Sequence, residues 1–410
     1  MQTAALDHRQ LYRLPWTLPD NGISWLEPTS ACNIVCVGCY RENVPSAHKP
    51  LDVVREEIET FARLRKSDCI SIAGGEPLLH PHIVDIVREI ATRGFKPIIN
   101  TNGVALTKEL LRELKKAGVH GFTFHIDSKQ YRPHWKGKTE IELNELRLYY
   151  AEMLAEAGGL LCAFNATVYE DTLPYVPDVL EWAARHIDKV HVVVFIAYRQ
   201  IVPALVQRYA FYAGDQPIDV KPLPYTSEAE QNVFIQSTDI LNVIRSRFPD
   251  FTPCAYLNGT ERPNSLKWLL TIRAGMPGRI LGYLGPRAVE FIQTQHHFWR
   301  GRYLAYPHPR TMRWGKSVFP LAIFDTQARR TAARYLSFIL RNPFRLFRPL
   351  HLQSVMLIQP IDILEDGRQD MCDGCPDVTV WNGQLVWSCR LEEPKRYGVF
   401  VRTVPRCVRW

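Results

Sequence analysis

Three cysteines within eight residues constrain this chain more than any other feature of its sequence. Cys32, Cys36 and Cys39 have the spacing CxxxCxxC, and Tyr40 directly follows the third cysteine. A structural zinc site takes four protein ligands, and a cubane iron–sulfur cluster is also usually held by four thiolates. Three thiolates leave one iron open to bind a ligand that reacts. The alternative for these cysteines is a zinc knob with His48 as the fourth ligand.

The spacing of these cysteines and the aromatic residue after them resemble the signature of the radical S-adenosylmethionine (SAM) superfamily. The resemblance implies that Cys32, Cys36 and Cys39 hold a [4Fe–4S] cluster, whose open iron chelates the amino and carboxylate groups of SAM. It also implies that an electron from the cluster cleaves SAM to a 5′-deoxyadenosyl radical. A reductant such as flavodoxin or ferredoxin is the expected partner, and the chain is expected to be an enzyme.

The order of predicted elements indicates the fold. Strand and helix patterns alternate six times between about residues 23 and 198, which predicts a parallel sheet with crossover helices. A doubly wound sheet and an incomplete barrel both satisfy this pattern, and the resemblance selects a partial (β/α)6 TIM-type barrel. The predicted domains are an N-terminal extension (1–22), the barrel (23–200), a connecting segment (201–261), a basic, mostly helical insertion (262–350) and an auxiliary cluster domain (351–410).

Candidate SAM-binding residues follow the ends of the predicted strands, where the active site of such a barrel gathers. Glycines at a strand end let the backbone approach a ligand closely. The resemblance implies that the motif after the second strand holds the amino group of SAM, and that several asparagines and one aspartate contact its ribose or carboxylate. The expected cofactor-binding residues are Tyr40, Gly74, Gly75, Glu76, Pro77, Asn100, Asn102, Asp127 and Asn165.

Strand alternation predicts which of these side chains face the barrel interior. Thr123, His125 and Asp127 share one face of their strand, and Asn165 and Thr167 share one face of the next. Polar groups inside a barrel need partners, which bound SAM would supply unless these side chains bond one another. His125 is the interior residue best placed for acid–base work and is the candidate catalytic residue.

A second group of cysteines lies near the end of the sequence. Cys372 and Cys375 precede two alternating runs joined by Asn382-Gly383, a hairpin sequence that carries Cys389 back toward the pair. The layout resembles the auxiliary-cluster (SPASM or twitch) extensions of radical SAM enzymes. There are too few cysteines for two auxiliary clusters, so one auxiliary [4Fe–4S] cluster is expected. Its fourth ligand is Cys254 or Cys407, and a zinc ribbon built from the same thiols is the alternative.

The segment from Arg262 to Arg348 is strongly basic. It holds 16 Lys plus Arg against two acidic residues, a net charge of +14, while the whole chain carries +8 and the remainder therefore −6. It also contains many aromatic residues, and residues 266–273 and 332–350 are expected to form short amphipathic helices. Such helices bind anionic lipid. A solvated basic face over an ordinary core is the alternative, and nucleic acid is the least favoured partner.

These observations predict a radical SAM enzyme that abstracts hydrogen from an unactivated carbon of a large lipid-like or anionic amphipathic substrate. The auxiliary cluster would accept an electron or anchor the substrate. A peptide-modifying or RNA-modifying radical SAM enzyme and a zinc-stabilised binding protein are the alternatives. Only 31 residues precede Cys32, which disfavours an N-terminal peptide-recognition or cobalamin domain. No signal peptide or spanning segment is visible, so a cytoplasmic location is expected, with peripheral association at the inner membrane face left open.

Overall fold

A computed structural model describes residues 6–406 of the 410-residue chain. The strands are β1 (Tyr12–Arg13), β2 (Ile23–Thr29), β3 (Cys69–Gly74), β4 (Lys96–Thr101), β5 (Gly121–His125), β6 (Leu161–Val168), β7 (Val192–Ala197), β8 (Tyr209–Ala213), β9 (Gln216–Pro217), β10 (Ala255–Leu257), β11 (Trp268–Met276), β12 (Arg279–Tyr283), β13 (His351–Ile358), β14 (Asp362–Ile363), β15 (Gln369–Asp370), β16 (Val378–Trp381), β17 (Gln384–Trp387) and β18 (Val401–Pro405). The helices are α1 (Leu51–Leu64), α2 (Ile83–Thr92), α3 (Lys108–Ala117), α4 (Leu143–Ala157), α5 (Val176–Arg185), α6 (Pro203–Arg208), α7 (Ser237–Arg247), α8 (Pro286–Arg300), α9 (Pro309–Arg313), α10 (Thr326–Leu340) and α11 (Glu392–Tyr397).

Six parallel strands form the first half of the main sheet. Strands β2 to β7 are neighbours in sequence order, and each pairs in parallel with the next. Helices α1 to α5 connect them and bury apolar stripes against the sheet, as α1 does with Val54, Ile58 and Phe61. The six-fold alternation and the partial (β/α)6 barrel predicted from the sequence are therefore confirmed.

The sheet continues beyond the sixth parallel strand. Strand β13 pairs in parallel with β7, and β11, β10 and β1 follow on its far side, while β12 pairs with β11. Residues 266–273 are thus mainly strand, and the expectation of an amphipathic helix there was wrong. Leu269, Thr271 and Arg273 are buried on the opposite face from Trp268 and Leu270. A segment covered on both faces and paired on both sides is a central strand.

The basic insertion closes the barrel end opposite the cysteines. The turn after α8 crosses the amino ends of three parallel strands: the Ala305 amide donates to the Asp68 carboxylate at 3.0 Å, Lys96 contacts the Ala305 carbonyl, and the His120 ring contacts the Tyr306 carbonyl. Helices α8 and α10 pack beside this turn in a separate apolar cluster. The insertion therefore forms a floor of the barrel, at the end away from the cysteines.

The predicted C-terminal hairpin is present. Strands β16 and β17 pair antiparallel across Asn382 and Gly383, which both adopt positive φ angles, as a two-residue hairpin turn requires. Strand β16 packs against β2, so the hairpin lies beside the strand that leads into the first cysteines. Within residues 6–406, no helix is both long and apolar enough to cross a membrane.

Candidate functional site

One large cavity connects both cysteine groups with the barrel interior. Its volume is about 1290 Å³. It is lined by most of the residues singled out in the sequence: Cys32, Cys36, Cys39, Tyr40, Gly74, Gly75, Asn100, Asn102, His125, Asp127, Asn165, Cys372, Cys375 and Cys389. These residues come from the carboxyl ends of the parallel strands and from the C-terminal hairpin. The inward direction expected for Thr123, His125, Asp127, Asn165 and Thr167 is confirmed.

The first cysteine loop is held by the loop that follows β5. The Val37 amide donates to the Lys129 carbonyl at 3.0 Å, and the Tyr131 amide donates to the Val35 carbonyl at 2.8 Å. Cys36 forms a bridge with Gln130 between these bonds. Burial raises the pKa of all three thiols in the loop. Backbone pairing therefore fixes the loop independently of any bound group.

The Gly-Gly-Glu-Pro turn joins the end of β3 to the first cysteine loop. The Gly75 amide donates to the Thr29 carbonyl and the Glu76 amide donates to the Ala31 carbonyl, both at 2.8 Å. A Cβ added to Gly75 would lie 2.3 Å from the Ala31 oxygen. The buried Glu76 carboxylate accepts from Thr101, Leu78 and Asn102. The Glu76 carboxylate is thus bonded within the protein and positions Thr101 and Asn102. Direct contact of Glu76 and Pro77 with SAM stays a prediction.

Replacing Gly75 with alanine is expected to push the turn away from the cysteine loop. The added methyl group would clash with backbone atoms of Ser30 and Ala31, which cannot move aside as a flexible side chain would. The expected loss in free energy of unfolding is roughly 1–3 kcal/mol, the cost of overpacking. SAM affinity should fall too, as measured by calorimetry. Gly159→Ala is the control for SAM affinity: its φ of 73° makes the substitution cost stability too, but its added methyl group meets open space and it does not line the cavity, so SAM affinity should stay unchanged. Wild-type SAM affinity in Gly75→Ala would contradict this role of the turn.

Asn102 links the strand ends to the cysteine loop. Its Nδ2 donates to Asn33 Oδ1 at 2.7 Å and lies 3.8 Å from the Cys32 sulfur. The Arg132 guanidinium, buried behind it, donates to the Asn102 carbonyl and to Gln130. Nothing in the local sequence distinguishes Arg132, because a basic residue in a polar loop is ordinarily solvated. Its burial depends on contacts that no local pattern reveals.

His125 and Asp127 form a hydrogen-bonded pair in the barrel mouth. His125 Nε2 lies 2.9 Å from Asp127 Oδ2 and 3.1 Å from Thr167 Oγ1. Burial disfavours the Asp127 carboxylate, but bonds from His125 and from the Lys129 and Thr167 amides outweigh it and hold the pKa of Asp127 below its usual value. Asp127 is therefore an ionised partner that orients the His125 ring. The catalytic role expected for His125 stays a prediction.

Several of the described residues that line the cavity carry buried polar atoms without a hydrogen-bond partner, and two of these atoms belong to barrel strands. Asn165 Oδ1 and Thr123 Oγ1 are buried and unpaired within the described part of the chain, and both residues line the cavity. A buried polar atom without a partner costs free energy, so such atoms are commonly satisfied by a ligand or water. The barrel interior therefore presents free acceptor and donor capacity where a polar ligand would lie.

The C-terminal cysteines converge on the same cavity. A hydrogen bond with Cys372, together with burial, raises the pKa of Cys375, and burial raises the pKa of Cys389 to about 12. The structure gives Cys254 a different partner, since its thiol donates to the Leu270 carbonyl at 3.3 Å. Cys407 lies outside the described residues. Among residues 6–406, no three His, Cys, Asp or Glu side chains are arranged to hold a single metal ion.

A buried ionic network joins the two cysteine groups. Arg41 follows Cys39 and Tyr40, and its guanidinium contacts the Glu27 carboxylate and both oxygens of Ser388. Ser388 Oγ donates to Glu27 at 2.7 Å, and Glu392 lies 3.5 Å from the guanidinium. Arg41 and Glu27 are 3% and 5% exposed, so the pair is fully desolvated. Ser388 is next to Cys389, and the network therefore fixes the hairpin against the first cysteine loop.

Comparison with known proteins agrees with this site. Residues 26–183 match the Radical SAM superfamily model. The chain is 37% identical over 109 residues to the tungsten-containing aldehyde ferredoxin oxidoreductase cofactor-modifying protein of Pyrococcus furiosus, covering 25% of this chain and 30% of that protein. It is 41% identical over 104 residues to GTP 3′,8-cyclase of Chlorobaculum tepidum, covering 24% and 31% respectively.

Similarity to other proteins is also partial. AdoMet-dependent heme synthase of Methanosarcina barkeri is 33% identical over 115 residues, 27% of this chain and 32% of that protein. The chain thus spans about a third of the length of these curated relatives. The solved structure of Streptococcus suis SuiB with S-adenosylmethionine covers 56% of this chain and 48% of its own, at 14% identity and a TM-score of 0.39, too low to support a functional assignment. The matched domain is one that binds a [4Fe–4S] cluster and SAM. Residues 26–183 are thus the part of the chain that matches the radical SAM superfamily.

Proposed function

We propose that the chain is a radical SAM enzyme whose first cluster is held by Cys32, Cys36 and Cys39. One observation carries the proposal: these thiols line the same cavity as Gly74, Gly75 and the polar strand ends. The number of thiols leaves one coordination position of a cubane cluster for SAM. A cluster and SAM bound there supply a 5′-deoxyadenosyl radical when an electron from flavodoxin or ferredoxin arrives.

The surrounding residues suit a ligand with an amino acid part and a nucleoside part. Asn102 lies against the cysteine loop, while the unpaired Asn165 Oδ1 and Thr123 Oγ1 lie on the barrel wall. The ionised Asp127 carboxylate would accept a hydrogen bond from a hydroxyl of the ligand or from His125. In the second case the proton of His125 is on Nε2. Tyr40 and Asn100, which also line the cavity, complete the proposed SAM site.

The hairpin thiols Cys372, Cys375 and Cys389 are proposed to hold one auxiliary [4Fe–4S] cluster. They line the cavity that holds the first cysteines, so a substrate bound between the groups would contact both. Such a cluster accepts an electron from the substrate or anchors it. The fourth ligand would be Cys407 or an atom of the substrate. Cys254 is disfavoured because its thiol donates a hydrogen bond to the Leu270 carbonyl.

The remaining cavity wall suggests the substrate class. Away from the cysteines the lining is apolar and comes from alternate residues of β7, β11 and β13, including Val194, Ile272 and Met356. Apolar walls of this extent favour a ligand with a large hydrocarbon part. We therefore propose hydrogen abstraction from an unactivated carbon of an amphipathic, lipid-like molecule.

Anaerobic reconstitution with iron and sulfide tests the proposal. Two four-iron clusters predict a brown protein with about eight irons per chain, whose reduced electron paramagnetic resonance spectrum changes when SAM is added. Cys375→Ser should remove about four irons and leave that SAM-dependent change intact. A colourless chain that takes up zinc and no iron would overturn the proposal in favour of a zinc-stabilised binding protein.

A further inference from the structure

Helix α10 and the segments beside it present large apolar side chains to solvent. The fully exposed positions include Leu340 at 73%, Phe344 at 81% and Phe347 at 82%. Together we term the following residues the α10 face: Trp314, Leu336, Leu340, Phe344, Leu346 and Phe347. A patch of this kind on a protein surface commonly marks an interaction site.

The residues of the α10 face are neighbours in space. Leu336 and Leu340 are one helical turn apart, and the chain then continues through the short turn that carries Phe344 and Phe347. Lys316 contacts the Leu346 carbonyl, and Trp314 forms a bridge with Leu350 just after that turn. The segments that carry the six exposed side chains are therefore adjacent to one another.

The opposite side of α10 is packed in an ordinary way. Ala328, Thr331 and Tyr335 are buried, and Thr331 Oγ1 donates to the Tyr283 carbonyl at 2.8 Å. The Arg345 guanidinium stacks over the Phe338 ring at 4.1 Å from its centroid. The helix thus already has a core side, and its exposed apolar residues are surplus to folding.

Positive charge surrounds the α10 face. Residues 286–348 contain 12 Lys plus Arg against Glu290 and Asp325, a net charge of +10. Asp325 is buried and accepts from the Ala328 amide at the helix start, so it does not offset this charge at the surface. Arg330 on α10 and Arg341 directly after its end are both exposed. The surface is therefore apolar at its centre and cationic around it.

We propose that the α10 face docks on an anionic phospholipid bilayer. Aromatic and aliphatic side chains flanked by arginine are the composition of interfacial helices, and each basic residue near an anionic surface adds to binding. A second copy of the chain is a poorer occupant, since a symmetric interface would bring two cationic surfaces together. Nucleic acid would match the charge and the three aromatic rings of the face, but its three exposed leucines offer no surface on which bases stack.

The position of the α10 face deepens the proposed function. Met312 and Val318 line the apolar end of the cavity, and they flank Trp314 and Lys316 in sequence. Docking would therefore place that end of the cavity beside the bilayer, while the cysteine loop stays on the far side of the barrel. The lipid-like substrate class rests on the proposed function, whereas the docking of this face can be tested without it.

Vesicle co-sedimentation of the reconstituted full chain tests the docking. Vesicles of phosphatidylcholine with phosphatidylglycerol should bind the protein, and vesicles of phosphatidylcholine alone should bind it much less. Phe344→Ser with Phe347→Ser should weaken binding to the anionic vesicles by more than about tenfold, since two exposed aromatic side chains that would enter the bilayer are lost. Arg330→Gln with Arg341→Gln should weaken it by about twentyfold at low salt.

A matched control uses apolar side chains exposed elsewhere. Ile141 and Tyr149 are 49% and 54% exposed near α4, and Ile141→Ser with Tyr149→Ser should leave vesicle binding unchanged. Failure of the wild-type chain to bind, equal binding to both vesicle types, or unchanged binding by the phenylalanine variant would overturn the proposal. Dimers that dissociate in that variant, without vesicle binding, would overturn it in favour of self-association. SAM cleavage by the same preparations separates failure of docking from failure of the proposed function.

Discussion

Cys36→Ser is expected to abolish SAM cleavage and to lower the iron content of the reconstituted chain from about eight to about four. The Cys36 sulfur lies in the loop paired with residues 129–131 and faces the cavity. Serine keeps the size of the side chain but is a poor ligand for iron, so the first cluster is lost while the hairpin thiols remain. Iron analysis and quantification of 5′-deoxyadenosine measure the two effects.

Cys162→Ala is the matched control for this variant. Cys162 is fully buried on β6 and packs in the apolar core between sheet and helices, away from the cavity. Its replacement should cost at most about 1–2 kcal/mol of stability and leave iron content and SAM cleavage unchanged. Retention of SAM cleavage by Cys36→Ser would remove this residue from the cluster site.

Arg41→Met is expected to destabilise the whole fold, with a loss of about 3–5 kcal/mol in free energy of unfolding. The substitution leaves the Glu27 carboxylate buried with two uncharged donors, Ser388 Oγ and Trp25 Nε1, and no cation beside it. It also removes the connection between the first cysteine loop and the hairpin. Urea denaturation followed by tryptophan fluorescence measures the change, and the iron bound by the hairpin should fall with it.

Two controls distinguish the effect of an unpaired buried charge on the free energy of unfolding from the effect of a smaller side chain. Arg88 forms an exposed pair with Asp85, and Arg88→Met should cost less than about 1 kcal/mol. Adding Glu27→Leu to Arg41→Met removes the unpaired carboxylate and should restore most of the lost stability. No recovery in the double variant would show that the network stabilises the fold by packing alone.

The sequence predicted the part of the fold that repeats. Strands β2 to β7 and their helices have a clear periodicity of apolar residues. The site motifs follow the strand ends, where each strand leads into a loop. Cavity-facing side chains on β5 and β6 followed from alternation alone. The hairpin at Asn382 followed from local turn preference, which needs no distant partner.

The structure added features that depend on distant contacts. Arg41 and Ser388 are 347 positions apart, so no local pattern predicts that this arginine is buried. Residues 268–276 have an apolar run typical of either a helix or a central strand, and only their neighbours β10 and β13 decide between them. The closure of the barrel floor by residues 302–307 likewise depends on contacts with Asp68 and His120.

We propose that the cysteine loop, the Gly-Gly turn and the polar strand ends form one SAM-cleaving site. The most direct measurement is the yield of 5′-deoxyadenosine when the anaerobically reconstituted chain is mixed with SAM and dithionite, with Cys36→Ser and Cys162→Ala in parallel. The proposed site predicts 5′-deoxyadenosine from the wild-type chain and from Cys162→Ala, and none from Cys36→Ser. An iron-loaded wild-type chain that forms no 5′-deoxyadenosine, or equal yields from all three proteins, would contradict it.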